Sequence, residues 1–333
     1  MRVGRMPFDA ISGAVPTRPS LNYQLLALTL AVVYGGVLAG LPLDEFKDRA
    51  SYLIYAEHSW EIFERYWGVS PLVGLVNEPL WLLINIGLAA VLPPEAVLRT
   101  IIFVPATLVA WLVLRQNPRQ FGWLLLFLML PQVVKNHIIH LRQGLAIAVF
   151  LAGWLASRQS LRWTLFAATP FIHASFFFVL FLWVMVKSMR LLRLAADLRT
   201  LLVAGAAIGV GGSYWLVDVL GARQAELYTA SATDLSGLGF AFWALVLIVM
   251  FLQGREFLRQ YVFEISTIVF FLGTYFFSPV TGRIFESTLL LVLLSGLRLT
   301  GWRYLAFIWL FVVYIVQQWL MRIDQSNFGW GLG

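Results

Sequence analysis

Apolar stretches of roughly 17 to 25 residues recur along this 333-residue chain, and each is long enough to cross a bilayer as a helix. The chain is 60% hydrophobic and only 12% charged, whereas soluble proteins carry about 25% charged residues. No run of alternating polar and apolar residues indicates a membrane β-barrel. The sequence therefore predicts an all-α, polytopic integral membrane protein that forms one transmembrane domain over residues 1–333.

The apolar stretches predict about nine to eleven transmembrane helices, together with some broken or re-entrant segments. The candidate spans are 21–40, 72–92, 98–114, 120–134, 143–157, 163–186, 200–220, 237–253, 261–280, 284–298 and 303–320. Residues 1–20 hold three arginines and no clean cleavage site, so we interpret them as a cytoplasmic tail. The absence of cysteine excludes disulfides and thiol chemistry.

Charge predicts the orientation of the chain. Six clusters of Arg and Lys lie between the apolar stretches, as is typical of cytoplasmic loops. They are the N-terminal tail, Arg115/Arg119, Arg158/Arg162, Lys187/Arg190/Arg193/Arg199, Arg255/Arg259 and Arg298/Arg303. The longest polar stretch, 44–70, holds six acids against three basic residues and is predicted to be an outer amphipathic loop.

Two apolar stretches do not fit this orientation as simple crossings. The stretch 163–186 is too short for two full spans, so we expect two half-helices that meet near Pro170 and His173. The stretch 72–92 contains Glu78 next to a proline and is predicted to be short, tilted or re-entrant. Irregular backbone at membrane depth is tolerated only where protein buries it or where it lines a cavity. Both stretches therefore predict a cavity.

The polar sequence KNHIIHLRQG, residues 135–144, lies between two apolar stretches and falls on the outer side. Its Lys135 and Arg142, and Arg283 further along, are exceptions to the cytoplasmic bias of positive charge. Arg142 is either an interfacial arginine or a phosphate ligand, because its guanidinium matches phosphate oxygens. If 135–142 is helical, Lys135 and Arg142 share one face, while His140 and Gln143 lie on another.

The remaining candidate residues each have two interpretations. Arg283 stands at a helix start and opposes the helix dipole, so either Glu286 or an anionic ligand is expected beside it. Glu78, an acid in an apolar segment, is either functional or paired with Arg142 or Arg283.

The histidines and the outer loop offer further candidates. His137 and His140 are three residues apart but lack a third ligand nearby, so no metal site is predicted, and His140 stays a candidate proton acceptor. His173 either lines the cavity or caps a broken helix. Asp48, Tyr52 and Tyr55 follow a helical spacing, which fits a segment lying on the membrane or the rim of an active site.

Several short motifs, taken in order, resemble the EpsG branch of the Wzy-like polysaccharide polymerases. They are an outer D-x-x-x-Y from Asp48 to Tyr52, EPLWLLI from Glu78, RQGLAIAVFLA from Arg142, FIHASFFF around His173 and GRIFE around Arg283. The similarity covers roughly residues 20 to 320. Lys47 stands where that family usually has glycine or threonine.

The resemblance implies a glycosyltransferase of GT-C-like fold in the bacterial inner membrane, with its site on the outer face. Such enzymes join oligosaccharide repeat units carried on undecaprenyl diphosphate, in O-antigen or exopolysaccharide synthesis. The lipid-linked glycan is the expected partner, beside membrane lipids, a chain-length regulator and a flippase; no nucleic acid, metal or cofactor is expected.

Residue types then predict the roles at such a site. Cations suit a diphosphate leaving group, so Arg142, Arg283 and Lys135 are the predicted diphosphate ligands. Glu78, then Asp48, then His140 are candidates for the base that accepts a proton from the attacking hydroxyl. The predicted glycan contacts are Tyr52, Tyr55, His173 and Gln143.

Two other classes remain open. A flippase or transporter also needs buried cations and broken helices, but it favours polarity through both leaflets, whereas polarity here is concentrated on one side. A ligase, or a transferase of single sugars, is the nearer alternative. Such ligases typically have one large outer loop between late helices, and the loop 221–236 is short.

Overall fold

A computed structural model describes residues 20–191, 237–276 and 281–331, and within these ranges the regular elements are all helical. The N-terminal tail, the predicted span 200–220 and the loop 221–236 lie outside the described residues. The α-helices are α1 (Leu21–Gly40), α2 (Arg49–Val69), α3 (Pro71–Val76), α4 (Pro79–Ala89), α5 (Pro94–Leu114), α6 (Phe121–Leu128), α7 (Pro131–Ile138), α8 (Leu141–Leu155), α9 (Gln159–Ile172), α10 (Ser175–Leu191), α11 (Leu238–Leu252), α12 (Arg255–Gln260), α13 (Val262–Thr274), α14 (Thr281–Glu286), α15 (Leu289–Gly296) and α16 (Trp302–Ile323).

Three of these helices, α1, α5 and α16, are long and apolar enough to cross a membrane. The pair formed by α6 with its preceding 3₁₀ turn and α7 is a fourth candidate, although it is bent by 62°. Several shorter apolar helices lie beside them, namely α4, α8, α10, α11 and α13. The prediction of an all-α membrane protein is confirmed at this level.

Helix α5 is the central helix of the N-terminal half. Within its most apolar window 61% of residues are buried, against 22% for α1 and 28% for α16. Helix α1 packs closely along α5, since a Cβ at Gly35 would lie 2.1 Å from Thr107 Oγ1. The outward apolar side chains of α16, such as Trp309 and Leu320, stay exposed as expected for a lipid-facing surface.

Two predicted spans are wrong as single helices. The stretch 120–134 is divided by Pro131, whose ring clashes with the carbonyl four residues earlier and whose nitrogen carries no hydrogen. The stretch 284–298 is divided at Ser287 and Thr288. The hydroxyls of these two residues bond back to the carbonyls of Arg283 and Phe285, which competes with regular helix geometry.

The prediction of two half-helices in 163–186 is confirmed. Helices α9 and α10 are separated at His173 and Ala174. Lys187 Nζ lies 4.5 Å from the ring centroid of Trp163, so the far ends of both helices lie side by side. With 14 residues, α9 extends only about 21 Å, so the pair enters and returns from the same end of the bundle.

Long-range contacts show which helix ends lie together at each end of the bundle. At one end, which carries Arg115/Arg119 and Arg298/Arg303, Gln120 Nε2 donates to the Leu297 carbonyl at 2.9 Å. At the opposite end, Arg99 donates to the Ala39 carbonyl at 2.6 Å. There the Lys47 amide also donates to the Trp330 carbonyl at 2.9 Å. Two of the clusters predicted to be cytoplasmic, Arg115/Arg119 and Arg298/Arg303, thus lie at the end of the bundle opposite Lys47 and Arg99.

Candidate functional site

Four interruptions of helices meet at one place in the described structure. They are the gap between α3 and α4 at Glu78, that between α7 and α8 at His140, that between α9 and α10 at Ala174, and that between α14 and α15 at Ser287. Hydrogen bonds or charge interactions connect each gap to another. Broken helices expose backbone groups and polar side chains that continuous helices would keep apart.

Glu78 joins two of these gaps. It adopts a left-handed conformation with φ of 58° and precedes Pro79, so the chain turns sharply before α4 begins. Its Oε1 accepts the Ala174 N–H at 3.1 Å, and its Oε2 accepts the Arg142 guanidinium. Since Glu78 is 4% exposed, the carboxylate is a buried acceptor, and its predicted ion pair with Arg142 is confirmed.

Arg142 lies in the first turn of α8 and interacts with several side chains. Besides pairing with Glu78, its guanidinium lies 5.5 Å from the ring centroid of Tyr55, and its positive charge acts on Tyr52. Burial raises the pKa of Tyr52, and the positive charge of Arg142 opposes this shift, so Tyr52 is a neutral hydroxyl at pH 7. Both tyrosine rings are buried edge-on against Trp81, so their predicted role in sugar stacking stays a prediction.

The glycine of the RQG sequence explains how Arg142 reaches this position. A Cβ at Gly144 would lie 2.2 Å from the Asn136 carbonyl oxygen. Helix α8 therefore approaches the backbone of α7 more closely than any other residue allows. The condition under which Lys135 and Arg142 would share one helix face is not met, because α7 ends at Ile138 and the chain turns before α8.

The turn separates the two cations of KNHIIHLRQG. Lys135 Nζ lies 2.8 Å from Glu286 Oε1, while Arg142 is directed toward Glu78. The expectation that Glu286 is the countercharge of Arg283 is therefore wrong. The Arg283 guanidinium is exposed and forms no hydrogen bond or ion pair with the residues that the structure describes. The anionic ligand remains the open alternative for Arg283.

Gln143 connects α8 to the gap between α14 and α15. Its Nε2 donates to the Arg283 carbonyl at 2.7 Å and to Ser287 Oγ at 3.2 Å. Ser287 Oγ lies 3.2 Å from Ser175 Oγ, which in turn lies 2.7 Å from His173 Nδ1. Gln143 thus bonds to the backbone of Arg283, and two of the four predicted glycan ligands, Gln143 and His173, belong to one hydrogen-bonded chain.

His140 lies in the gap between α7 and α8. Burial lowers the pKa of His140 far below its usual range, and the charges of Lys135 and Arg283 lower it further. The imidazole is therefore neutral at pH 7, and a group with so low a pKa is a weak base. The charge of Arg142 acts on His140 in the same direction. The bond from Gln143, the residue after Arg142, to the Arg283 carbonyl brings the backbones of these two predicted diphosphate ligands together.

Asp48 stands at the N-terminal end of α2, the helix that carries Tyr52 and Tyr55. It is exposed, precedes α2 in a left-handed conformation, and its charge acts on Tyr52 one turn later. Helix α2 confirms the helical spacing of Tyr52 and Tyr55, whereas Asp48 precedes the helix. Tyr52 and Tyr55 are buried while Asp48 is exposed, and its role as a base stays a prediction.

Sequence reasoning missed Arg49. Its side chain is fully buried, and its Nε donates to the Ile138 carbonyl at 2.7 Å, at the end of α7. Burial, together with the charge of Arg99, lowers the pKa of Arg49 to about 10, so it is still charged at pH 7. Its neighbours Asp48, Ala50 and Ser51 are exposed, and only an inward helix phase shared with Tyr52 could have indicated its burial.

Within the described ranges, no three His, Asp or Glu side chains lie close enough together to hold a metal ion. No family model, curated protein or solved structure matches the chain.

Proposed function

We propose that this chain is a metal-independent polysaccharide polymerase of GT-C-like architecture, with about nine to eleven crossings. It joins undecaprenyl-diphosphate-linked repeat units at the outer face of the bacterial inner membrane, with its N-terminus in the cytoplasm. One observation carries the proposal. The Arg283 guanidinium forms no hydrogen bond or ion pair within the described residues, and the Arg283 backbone is bonded to Gln143, whose neighbour Arg142 pairs with the buried carboxylate of Glu78.

These cations suit a diphosphate ligand. Arg142 has a planar guanidinium that binds phosphate oxygens in pairs, and Arg283 presents a second one to the same site. Positive charge near the leaving oxygen stabilises the transition state as negative charge develops there. The assignment of undecaprenyl as the lipid part of the substrate rests on the resemblance to the Wzy-like polymerases.

The ion pair of Glu78 and Arg142 suggests how the base becomes available. A bound diphosphate competes with Glu78 for the Arg142 guanidinium, which frees a carboxylate oxygen to accept a proton. The attacking sugar hydroxyl then forms a bond to the anomeric carbon while the bond from that carbon to the diphosphate oxygen breaks. The hydroxyl proton goes to Glu78, and the bonding electron pair leaves with undecaprenyl diphosphate.

The one-sided arrangement supports an enzyme over a flippase. The cations and Glu78 lie toward the end of the bundle opposite Arg115/Arg119 and Arg298/Arg303. A path for a charged headgroup through both leaflets requires polar groups along its whole length.

The experiment is incubation of the purified protein in liposomes with undecaprenyl-diphosphate-linked repeat units, followed by gel separation of the glycans. A polymerase gives a ladder of products, and a chelator leaves the ladder intact. A single added unit would indicate a transferase or ligase. No product, with movement of substrate between leaflets, would indicate a flippase, and loss in chelator restored by a divalent ion would contradict the metal-independent reaction.

A further inference from the structure

His173 lies in the gap between the half-helices α9 and α10. Its Nδ1 accepts the backbone N–H of Ser175 at 3.2 Å and contacts Ser175 Oγ at 2.7 Å. A ring nitrogen that accepts an N–H carries no hydrogen of its own. The neutral imidazole therefore holds its proton on Nε2, which makes that atom a hydrogen-bond donor.

The Ser175 hydroxyl that contacts this ring belongs to a chain of hydrogen bonds that continues through Ser287 to Gln143 of α8. Ser175 Oγ lies 3.2 Å from Ser287 Oγ, and Ser287 Oγ accepts Gln143 Nε2 and donates to the Arg283 carbonyl at 3.1 Å. His173 is 8% exposed. Its Nε2 has no hydrogen-bond partner among the described residues. This atom is also not completely covered by other protein atoms.

We infer that the His173 Nε2–H donates a hydrogen bond to a hydroxyl of a sugar bound beside Glu78. Ser175 and Ser287 are positioning residues that orient the ring. The inference rests on the proposed function, which supplies the glycan.

The neighbourhood favours a sugar hydroxyl as the acceptor. Ala174, the residue next to His173, donates its N–H to Glu78, so the neutral donor and the carboxylate acceptor belong to the same gap. Sugar hydroxyls donate and accept, and neighbouring hydroxyls of one ring match a donor beside an acceptor. Phosphate oxygens form stronger hydrogen bonds with the charged guanidinium groups of Arg142 and Arg283 than with a neutral imidazole.

Two substitutions at His173 separate the donor role from a capping role. His173→Asn retains a side-chain oxygen that can accept the Ser175 N–H, as asparagine commonly does two residues before the donor, but it lacks the distal N–H. His173→Gln retains an N–H at about the distance of Nε2 and loses the cap. Ser175→Ala removes the hydroxyl that orients the ring, and Ser175→Thr restores it.

The measurement is the affinity of each variant in detergent for undecaprenyl diphosphate with and without its repeat unit, which does not require turnover. We expect His173→Asn to weaken binding of the glycan-bearing lipid about tenfold, the scale of one lost hydrogen bond, and to leave binding of the bare lipid unchanged. His173→Gln and Ser175→Thr should retain most of the glycan-dependent affinity, and Ser175→Ala should lose part of it.

Unchanged glycan-dependent affinity in His173→Asn would show that the histidine only caps α10 and would overturn the inference. Equal weakening for bare lipid would assign the donor to a phosphate oxygen and would overturn it as well. The polymer ladder of the wild-type protein is measured separately, so a failure of the proposed polymerase function is distinguishable from a failure at His173.

Discussion

At the scale of single residues, the ion pair of Glu78 and Arg142 is the centre of the site. Arg142 is 20% exposed and Glu78 is 6% exposed in their side chains, so water screens the pair poorly. Removal of one partner leaves the other charge buried without compensation, which costs about 3–5 kcal/mol for buried pairs.

We therefore predict strong coupling between these two residues. Glu78→Ala and Arg142→Ala should each lower the thermal unfolding temperature of the detergent-solubilised protein, and the double variant should be much less destabilised than the sum of the two. Additive losses, measured as free energies of unfolding, would show that the two side chains do not interact.

At the scale of helices, the close approach of α7 and α8 places Arg142 and depends on Gly144. Gly144→Ala should destabilise the protein and reduce polymer formation, because the added methyl group meets the Asn136 carbonyl at 2.2 Å. Gly87→Ala is the matched control, since a Cβ there meets no atom within 4 Å and alanine favours helix α4. Equal unfolding temperatures of the two variants would contradict this packing.

We propose that α9 and α10 form a re-entrant pair, and labelling can test this because the chain contains no cysteine. Ser157 lies just before α9, and Ser188 lies near the end of α10. Both residues are exposed, so each can be replaced by cysteine as a labelling site. We predict that an impermeant maleimide labels both from the cytoplasmic side of membrane vesicles. Ser51→Cys, at the start of α2, should be labelled from the opposite side. Labelling of Ser157→Cys and Ser188→Cys from different sides would mean that the pair crosses the membrane.

The broken helices show what the sequence can and cannot predict. The gap at His173 was predictable because the length of 163–186 and the charges around it are local properties. The partner of Lys135 was not, since Glu286 lies 151 positions away and only the folded chain brings them together. The break at Pro131 had a visible signal, but apolar composition on both sides concealed it. The burial of Arg49 had no local signal beyond its helix phase.

At the scale of the whole molecule, the two ends of the described chain lie at opposite ends of the bundle. Tyr23, near the start of α1, donates to the Leu114 carbonyl at the end of α5. Gly331 instead forms a β-bridge with Phe46, shortly after α1 ends. Trp330 packs with Tyr52 and Trp81 in the same apolar cluster.

This arrangement predicts the location of a C-terminal reporter. Alkaline phosphatase fused to the C-terminus should be active, because this end lies with α2 on the proposed outer side, and green fluorescent protein in the same place should be dark. The same two reporters joined after Arg119 should give the reverse pattern. A fluorescent C-terminal fusion would contradict the proposed orientation.

The central claim is that the cations around the helix gaps bind the diphosphate of a substrate that is polymerised. The most direct test compares the polymer ladders of two variants, Arg283→Ala and Arg119→Ala. The Arg283 guanidinium has no partner in the described structure, so its loss should leave the fold intact. Arg119 is the control, an exposed arginine at the other end of the bundle. We predict that Arg283→Ala retains its unfolding temperature yet yields single repeat units only, while Arg119→Ala yields a full ladder. A full ladder from the Arg283→Ala protein would contradict the account.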